Sequence, residues 1–348
     1  MATNVNTKDS MKSTWRDADK SEWSYYHHLI DFLDLHPIER EREVPVHSKD
    51  EKVPYVPQWS QHRYILTYSA LPLIAHQVFS SYTGYNLGPF AAFNFYFLAF
   101  NLFIIYEAKL LRRLGHTFGF LDGDKHERDG IPDVGIPKIV ASLYKTTGSR
   151  LIMSIYLTYN PNRLPGNTNW AWLPLEIGLY GIVLDFWFYW YHRAMHDVSF
   201  LWRFHRTHHL TKHPNPLLSA YADHEQEFFD MVGVPFFTYM TLKAFGLPMG
   251  FYEWWICHAY VAFTEVLGHS GLRVHGLSAS TMGWLLTWLN ADIVIEDHDL
   301  HHRKGYRKSH NYGKQTRLWD RIFGTCHDRI ESVNDNIDYE NTAPVPLY

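Results

Sequence analysis

Histidines at short, regular intervals are the residues of this sequence best suited to chemistry. Of the 23 histidines, 13 lie between residues 192 and 302, and three short patterns contain eight of them. The patterns are His192-Arg-Ala-Met-His196, His205-Arg-Thr-His208-His209 and His298-Asp-Leu-His301-His302. On an α-helix, residues three and four positions apart share a face, so the imidazoles of each pattern converge. Eight imidazoles exceed the three or four ligands of an ordinary zinc site and are enough for two metal ions.

Two apolar stretches, residues 227–245 and 251–268, separate the second histidine pattern from the third. The segment Gly246-Leu-Pro-Met-Gly250 between them contains strong helix breakers and predicts a hairpin. A hairpin that enters a membrane returns the chain to the side that it left. The histidines before residue 210 and those from residue 269 onward are therefore expected on one face of the bilayer.

A second apolar hairpin, residues 64–82 and 89–111, precedes the histidines. Its stretches approach the length of about 20 residues that a helix needs to cross a bilayer. Arg63 and Lys109 flank the pair, so the positive-inside rule places both of its ends in the cytosol. We therefore expect an all-α fold, a polytopic membrane helical bundle with a cytosolic, histidine-rich helical cap. The sequence leaves open whether residues 136–159 and 170–191 also cross, and buried helices of a soluble protein are the alternative.

Composition excludes several other classes of protein. The 348 residues are 46% hydrophobic and 20% charged, which excludes a disordered chain. The net charge of −4, without a basic block, argues against nucleic-acid binding. Cys257 and Cys326 form no CxxC pair, which leaves imidazole as the main candidate metal ligand. The sequence also contains no HExxH, GxSxG or GxGxxG motif, so a zincin protease, a serine hydrolase and a built-in nicotinamide site have no support.

The three histidine patterns, in this order, resemble the fatty acid hydroxylase/sterol desaturase superfamily of integral-membrane di-iron enzymes. The resemblance covers roughly residues 170–327. It also includes the approach Asp185-Phe-Trp-Phe-Tyr-Trp-Tyr-His192-Arg and the later segments Asn311-Tyr-Gly313 and Leu318-Trp-Asp-Arg-Ile-Phe-Gly-Thr325. It implies two iron ions, O₂ as co-substrate, and hydroxylation or desaturation of a lipid, sterol or terpenoid-like substrate.

The resemblance also implies electron donors and a location. No flavin or nicotinamide motif and no fused cytochrome b5 domain is visible in the sequence, so the implied donors are cytochrome b5 and its NADH-dependent reductase. The implied location is the endoplasmic reticulum membrane, with the histidine patterns on the cytosolic face. By the same resemblance, residues 170–327 are the catalytic domain. Residues 1–63 are a polar N-terminal region, 64–169 the first hairpin with its connector, and 328–348 a polar tail.

Carried over residue by residue, the resemblance implies eight metal ligands within the patterns and two outside them. His269 ends the returning helix of the hairpin. Glu265, one turn before it, could add a carboxylate ligand, although its position favours an interface residue. Asp197, Asp223, Asp297 and Asp299 are placed to accept the second N–H of a ligating imidazole. His213, His258 and His275 receive ordinary structural interpretations. The ten expected ligands are His192, His196, His205, His208, His209, His224, His269, His298, His301 and His302.

Two other classes of protein remain as alternatives at this stage. One is a membrane zinc-dependent hydrolase, which needs a general base beside an open zinc position. The other is a non-enzymatic metal transport or buffering protein, which predicts ionisable residues inside the membrane spans. Residues 231–242 and 254–262 contain only His258 as such a group, which argues against a transport pathway there.

Overall fold

The structure, a computed structural model, describes residues 7–348 and is built almost entirely from helices. Within these residues it has twelve α-helices and two short strands, which confirms the all-α expectation. A π-helical turn, Phe229–Gly233, joins α7 to α8. The α-helices are α1 (Tyr25–Phe32), α2 (Gln58–Thr83), α3 (Pro89–Phe118), α4 (Ile136–Thr158), α5 (Leu173–Asp197), α6 (Ser199–His205), α7 (His224–Phe228), α8 (Val234–Ala244), α9 (Phe251–Gly268), α10 (Gly283–Trp288), α11 (Ile295–Lys304) and α12 (Leu318–Phe323).

Short 3₁₀ helices lie between the α-helices and in the N-terminal segment. The one that matters for the candidate site is His208–Leu210, which follows α6 and contains two histidines of the second pattern. The others are Thr7–Asp9, Trp15–Asp17, Lys20–Glu22, Pro165–Asn167, Trp170–Trp172, Pro216–Ala220 and Asn334–Asn336.

Glycines lie at the turns of both hairpins. The chain leaves α2 at Gly84, whose φ of +74° is a left-handed conformation that glycine adopts without strain. Its N–H donates to the carbonyl oxygen of Ser80 at 3.0 Å. Gly246, just after α8, is also left-handed, with φ of +86°, and Gly250 immediately precedes α9. Both hairpin turns therefore lie where the sequence predicts them.

Helix α9 is the central element of the fold. Every residue from Phe251 to Leu267 is buried. The helix packs against α2, α3, α4, α5 and α11, so protein surrounds it on all sides. A helix that is apolar all round needs such an environment.

Two helical stretches are long and apolar enough to cross a membrane, Pro89–Phe118 and Trp170–Asp197. Only 22% of the most apolar window in the first stretch is buried inside the protein, so α3 presents a wide apolar face outward. Neither α2 nor the pair α8 and α9 meets the same criterion. Helix α2 contains many polar residues, and α9 carries Glu253 and Glu265. Of the hairpin of residues 227–268, α9 forms the interior of the bundle, whereas α8 exposes Phe237 and Met240.

The polar segments at the two ends of the described chain meet. Strand β1 (Val53–Pro54) pairs in parallel with β2 (Ile337–Asp338). Beside them, the buried guanidinium of Arg273 donates to Glu331 Oε2 at 2.9 Å. These contacts close the protein behind α11.

Two buried carboxylates hold the loop of residues 311–316 against α5 and α12. Asp185, in α5, accepts from the backbone N–H groups of Lys314 at 2.7 Å and Gln315 at 3.0 Å, and from the Thr316 hydroxyl at 2.8 Å. Asp320, in α12, accepts from the backbone N–H groups of Tyr312 and Gly313, earlier in the same loop, both at 2.8 Å. Burial raises the pKa of Asp320 to about 6. The two sequence segments that accompany the histidine patterns thus form one hydrogen-bonded unit.

We expect Asp185→Ala to destabilise the protein by about 3 kcal/mol or more, because each buried donor left without a partner costs about 1–3 kcal/mol. The measurement is the thermal unfolding midpoint of the detergent-solubilised protein. Asp197→Ala is the matched control, since Asp197 lies exposed on the same helix and contacts only Arg193 at 3.3 Å. Its effect should stay within about 0.5 kcal/mol. Equal midpoints for the two variants would contradict this account of the loop.

Candidate metal centre

Nine of the ten histidines expected as ligands form two adjoining clusters. We call them the five-histidine cluster and the four-histidine cluster, and every member is buried. Within each cluster, one ring nitrogen from every residue lies within 4.8 Å of the others. The first comprises His192, His196, His205, His209 and His301, and the second His208, His269, His298 and His302.

Four parts of the chain deliver these side chains. Helix α5 carries the first pattern in its last turns, α6 and the following 3₁₀ turn carry the second, and α11 carries the third. His269 follows α9 directly and belongs to the four-histidine cluster. The hairpin thus brings the histidines that precede it in the chain together with those that follow it, as predicted from the sequence.

Each HxxHH pattern is divided between the two clusters. His208 and His209 are adjacent in sequence, yet the first belongs to the four-histidine cluster and the second to the five-histidine cluster. His302 and His301 divide in the same way. Successive helical residues point about 100° apart, so one short helix serves both clusters at once.

The ring nitrogens lie close enough to share a metal ion. His205 Nε2 is 3.0 Å from His192 Nε2 and 3.1 Å from both His196 Nε2 and His209 Nε2. Ligands at right angles about a metal, each about 2.1 Å from it, lie about 3.0 Å apart, whereas tetrahedral ligands lie about 3.4 Å apart. The spacing in this cluster therefore suits a metal with five or six ligands.

The four-histidine cluster has a similar spacing. His269 Nε2 lies 3.0 Å from His298 Nε2 and 3.3 Å from His208 Nε2. The Nε2 atom of His302 is buried and has no hydrogen-bond partner among the described residues. A buried nitrogen without a partner is costly, and a metal ion at the centre of the cluster would satisfy it.

Backbone carbonyl oxygens fix the orientation of five of these rings. In each case Nδ1 donates to a carbonyl oxygen, which leaves the lone pair of Nε2 facing the cluster. The Nδ1–O distances are 2.8 Å for His192 and Tyr312, 2.7 Å for His196 and Tyr306, 2.6 Å for His301 and His310, 3.0 Å for His302 and Thr211, and 2.8 Å for His269 and Glu265.

The expectation that carboxylates accept these bonds is wrong. Asp297 and Asp299 lie on α11 but contact arginines instead, Asp297 at 2.7 Å from Arg329 and Asp299 at 2.6 Å from Arg128. On the helix they border the histidine stripe on either side, and these ion pairs hold their carboxylates. The remaining two expected carboxylates, Asp197 and Asp223, pair with Arg193 and Lys138.

Burial keeps the clustered imidazoles neutral. It lowers the pKa of each of six histidines outside α5 and α9 well below the usual value of 6.5, and neighbouring imidazoles lower it further. A neutral imidazole is the form that binds a metal. The six are His205, His208, His209, His298, His301 and His302.

His224 is the one expected ligand that the structure leaves outside both clusters. It begins α7 with about half of its side chain exposed, and its Nδ1 lies 3.4 Å from Glu227 Oε2. The carboxylate of Glu265 is also outside and lies 3.5 Å from Lys314 Nζ. Helix α7 carries no histidine of the clusters. The sequence therefore gave no spacing from which to tell whether the side chain of His224 points toward them.

The other histidines have ordinary surroundings. His275 Nδ1 lies 2.6 Å from Ser332 Oγ, and His258 is buried on α9. His213, His126 and Asp122 form a third group of possible ligands. Two cations already hold the carboxylate of that group, with Lys49 at 2.6 Å and Arg303 at 2.8 Å from Asp122 Oδ1. This group therefore has little capacity left for a metal.

A buried cavity adjoins both clusters. Phe188, Leu267 and Ile295 form part of its apolar wall. Lys314 also lines it, with Nζ 2.5 Å from Asp230 Oδ1. Sequence reasoning missed this ion pair. The signal available was a lone Asp230 in an otherwise apolar stretch, together with a lysine directly after Gly313. Histidines of both clusters line the cavity. They are His192 and His205 of the five-histidine cluster and His208, His269 and His298 of the four-histidine cluster.

Comparison with known proteins identifies the family. The fatty acid hydroxylase family model matches residues 177–325, which include all nine clustered histidines. Fatty acid hydroxylase vlmA of Lecanicillium sp is 47% identical over 310 residues, 85% of this chain and 84% of the relative.

More distant relatives carry other names. Human alkylglycerol monooxygenase is 26% identical over 64% of this chain and 46% of its own length. Delta(7)-sterol-C5(6)-desaturase of Nicotiana tabacum is 28% identical over 47% of this chain and 54% of its own length. No solved structure matches. The extent of the similarity to vlmA and the histidine patterns within the matched region show that the chain belongs to the fatty acid hydroxylase family, whose named members are oxidoreductases.

Proposed function

We propose that this protein is a membrane oxygenase that binds two iron ions and uses O₂ to hydroxylate or desaturate a C–H bond of a lipid, sterol or terpenoid-like substrate. The observation that carries the proposal is the pair of adjoining all-imidazole clusters beside one buried cavity. The names of the relatives, which include a hydroxylase, a monooxygenase and a desaturase, support the class of reaction.

The donor set supports iron over zinc. Five imidazole nitrogens with neighbours 3.0–3.1 Å apart suit a metal with more than four ligands, whereas structural and catalytic zinc sites prefer tetrahedral coordination. Imidazole is a normal ligand for iron. When bound, iron supplies the reductive activation of O₂ that oxidation of an unactivated C–H bond requires.

The chain itself has two tasks in this reaction. The five carbonyl oxygens that accept from Nδ1 keep the Nε2 atoms directed at the cluster centres. The apolar wall formed by Phe188, Leu267 and Ile295 excludes water and holds a substrate carbon beside both clusters. The ligands that we propose are the nine clustered histidines, without His224.

Location and partners follow as further parts of the proposal. Apolar α3 and the stretch Trp170–Asp197 support an integral-membrane position, and the exposed Trp284 and Trp288 on α10 suit a membrane interface. We place the protein in the endoplasmic reticulum with its histidine clusters at the cytosolic face, and residues 170–327 as the catalytic domain. Cytochrome b5 and its NADH-dependent reductase are the proposed electron donors.

Lipid profiles of a host with and without the protein test the proposed reaction. We expect a lipid that gains one oxygen or loses two hydrogens only when the protein is present and O₂ is supplied. High-resolution mass spectrometry measures both changes. Formation of the same lipid product by the host in the absence of O₂ would contradict the proposal. So would its formation by purified protein that contains zinc and no iron.

Single histidine substitutions test the metal centre. Wild-type protein should contain about two irons per chain, and His301→Ala and His208→Ala should each lose about one, because each removes a ligand from a different cluster. Product formation should fall at least tenfold in both. Metal analysis of the purified protein and product assays measure these effects.

His224→Ala is the control for that experiment, because His224 lies outside both clusters and is half-exposed. It should keep the iron content of the wild type. Unchanged iron in His208→Ala and His301→Ala would overturn the assignment of the clusters.

The buried histidines predict a pH dependence of stability. Their pKa values in the folded protein lie well below the unfolded value of about 6.5, so only the unfolded chain gains protons as the pH falls through that value. The metal-free protein should therefore lose stability between pH 7.5 and pH 5.5. Thermal unfolding midpoints at the two pH values measure the loss. A variant with His205, His208 and His209 all replaced by Gln should show a smaller loss, and an equal one would refute this origin.

A further inference from the structure

Five cations form a basic face beside the five-histidine cluster. They come from three parts of the chain, namely α6, the segment that follows it, and the loop after α11. Arg307 donates to Ser199 Oγ at the start of α6, and Arg203 lies four residues after Ser199 on the same side of that helix. Lys212 Nζ lies 4.8 Å from the centre of the Tyr306 ring. The basic face comprises Arg203, Arg206, Lys212, Arg307 and Lys308.

This face has an excess of positive charge. Only Arg206 is paired, with Asp9 at 2.5 Å, and among residues 7–348 no carboxylate oxygen lies within 4.0 Å of the charged nitrogens of the other four cations. Two further carboxylates of this region are already engaged, Asp129 by the backbone N–H groups of residues 212 and 213 and Asp197 by Arg193. The whole chain has 36 acidic and 32 basic residues, so the charge of the basic face is opposite to that of the chain.

Two aromatic rings connect the basic face with the five-histidine cluster. His196 Nδ1 donates at 2.7 Å to the carbonyl oxygen of Tyr306, in the loop that carries two of the cations. The centre of the Trp202 ring lies 4.9 Å from that of Tyr306 and 5.3 Å from that of His196. Tyr306 is 40% exposed, whereas Trp202 is 7% exposed. A partner bound at the basic face therefore lies two rings away from a histidine of the cluster.

The proposed reaction needs electrons from outside the chain. Hydroxylation of a C–H bond by O₂ takes up two electrons and two protons, and the second oxygen atom leaves as water. The donors that we propose are separate proteins, so they need a place to bind near the histidine clusters. Complementary charge speeds the encounter of two proteins and fixes their relative orientation.

We propose that the basic face binds an acidic protein with a one-electron redox group, which it holds next to Tyr306 and Trp202. This proposal rests on the proposed function, because it assigns the docking site of the electron donor. The exposed ring of Phe200, 4.0 Å from the Arg203 guanidinium, adds an apolar contact within the face. The connection through two rings favours a redox protein over an anionic membrane surface, which has no use for it.

Binding to the full-length protein in nanodiscs of neutral phosphatidylcholine tests the proposal. The probe is the soluble haem domain of cytochrome b5, kept oxidised so that no turnover occurs, and the same domain after amidation of its surface carboxylates. The affinity of the wild type for the untreated domain should fall at least tenfold from about 50 to about 200 mM salt. The amidated domain should bind at least tenfold more weakly. Biolayer interferometry measures both effects.

Charge reversal locates the binding site. The double variant Arg307→Glu, Lys308→Glu should bind the untreated domain at least tenfold more weakly than the wild type, because attraction becomes repulsion. Arg203→Glu, a single change at an exposed position, should weaken binding about threefold or more and keeps the test valid where the double variant fails to fold. The matched control is Arg42→Glu, Lys52→Glu, since both residues are exposed in the segment before α2. It should bind as the wild type does.

Unchanged affinity in the folded variants of the basic face would overturn the proposal, and so would equal binding of the untreated and amidated domains. Wild-type protein that binds phosphatidylserine vesicles through these cations but does not bind the haem domain would assign the face to the membrane instead. A failure of the proposed function shows separately, as absent iron or absent lipid oxidation in protein that still binds the haem domain at this face.

Discussion

Nine imidazole rings share a small buried volume, and the need to satisfy their nitrogens governs the structure around them. The Nε2 atoms face one another at about 3 Å with only other imidazoles as partners, an arrangement that a cation between them would satisfy. The Nδ1 atoms of five rings need acceptors on the outside. The chain supplies them as backbone carbonyl oxygens from irregular segments and helix ends, which explains why loops as well as helices must be held firmly here.

Helix α11 shows how the fold meets this need. The helix carries His298, His301 and His302 on one side, and acidic residues beside and opposite them bind the chain behind it. The carboxylate of Glu296 accepts from the backbone N–H groups of residues 330–332, and Asp297 contacts Arg329. Because nearly every residue of this short helix is buried, its charged groups must be paired, and the pairing fixes the helix in position. Residues 329–332, after the catalytic-domain region, thus hold α11 and its clustered histidines in place.

The sequence allowed the all-α fold, both hairpin turns and the convergence of the histidine patterns to be predicted, because each depends on local spacing or on a helix breaker. It did not allow the partners of the rings to be predicted. Which arginine meets a carboxylate of α11, and which carbonyl oxygen reaches a ring, depends on tertiary contacts that local spacing does not reveal, such as that between His192 and Tyr312. The position of His224 depends likewise on how α7 packs. The enclosure of α9 was also beyond the sequence, since an apolar helix reads the same whether lipid or protein surrounds it.

The division of adjacent histidines between the clusters has a consequence for the distance between the two ions that we propose. His208 and His209 are joined by one peptide unit, as are His301 and His302, and each pair bridges the two clusters. Consecutive Cα atoms are held about 3.8 Å apart by covalent bonds. The separation of the two centres is thus tied to bond lengths and angles at two independent points. Repacking of the surrounding side chains can tilt the centres together, but it has little power to pull them apart.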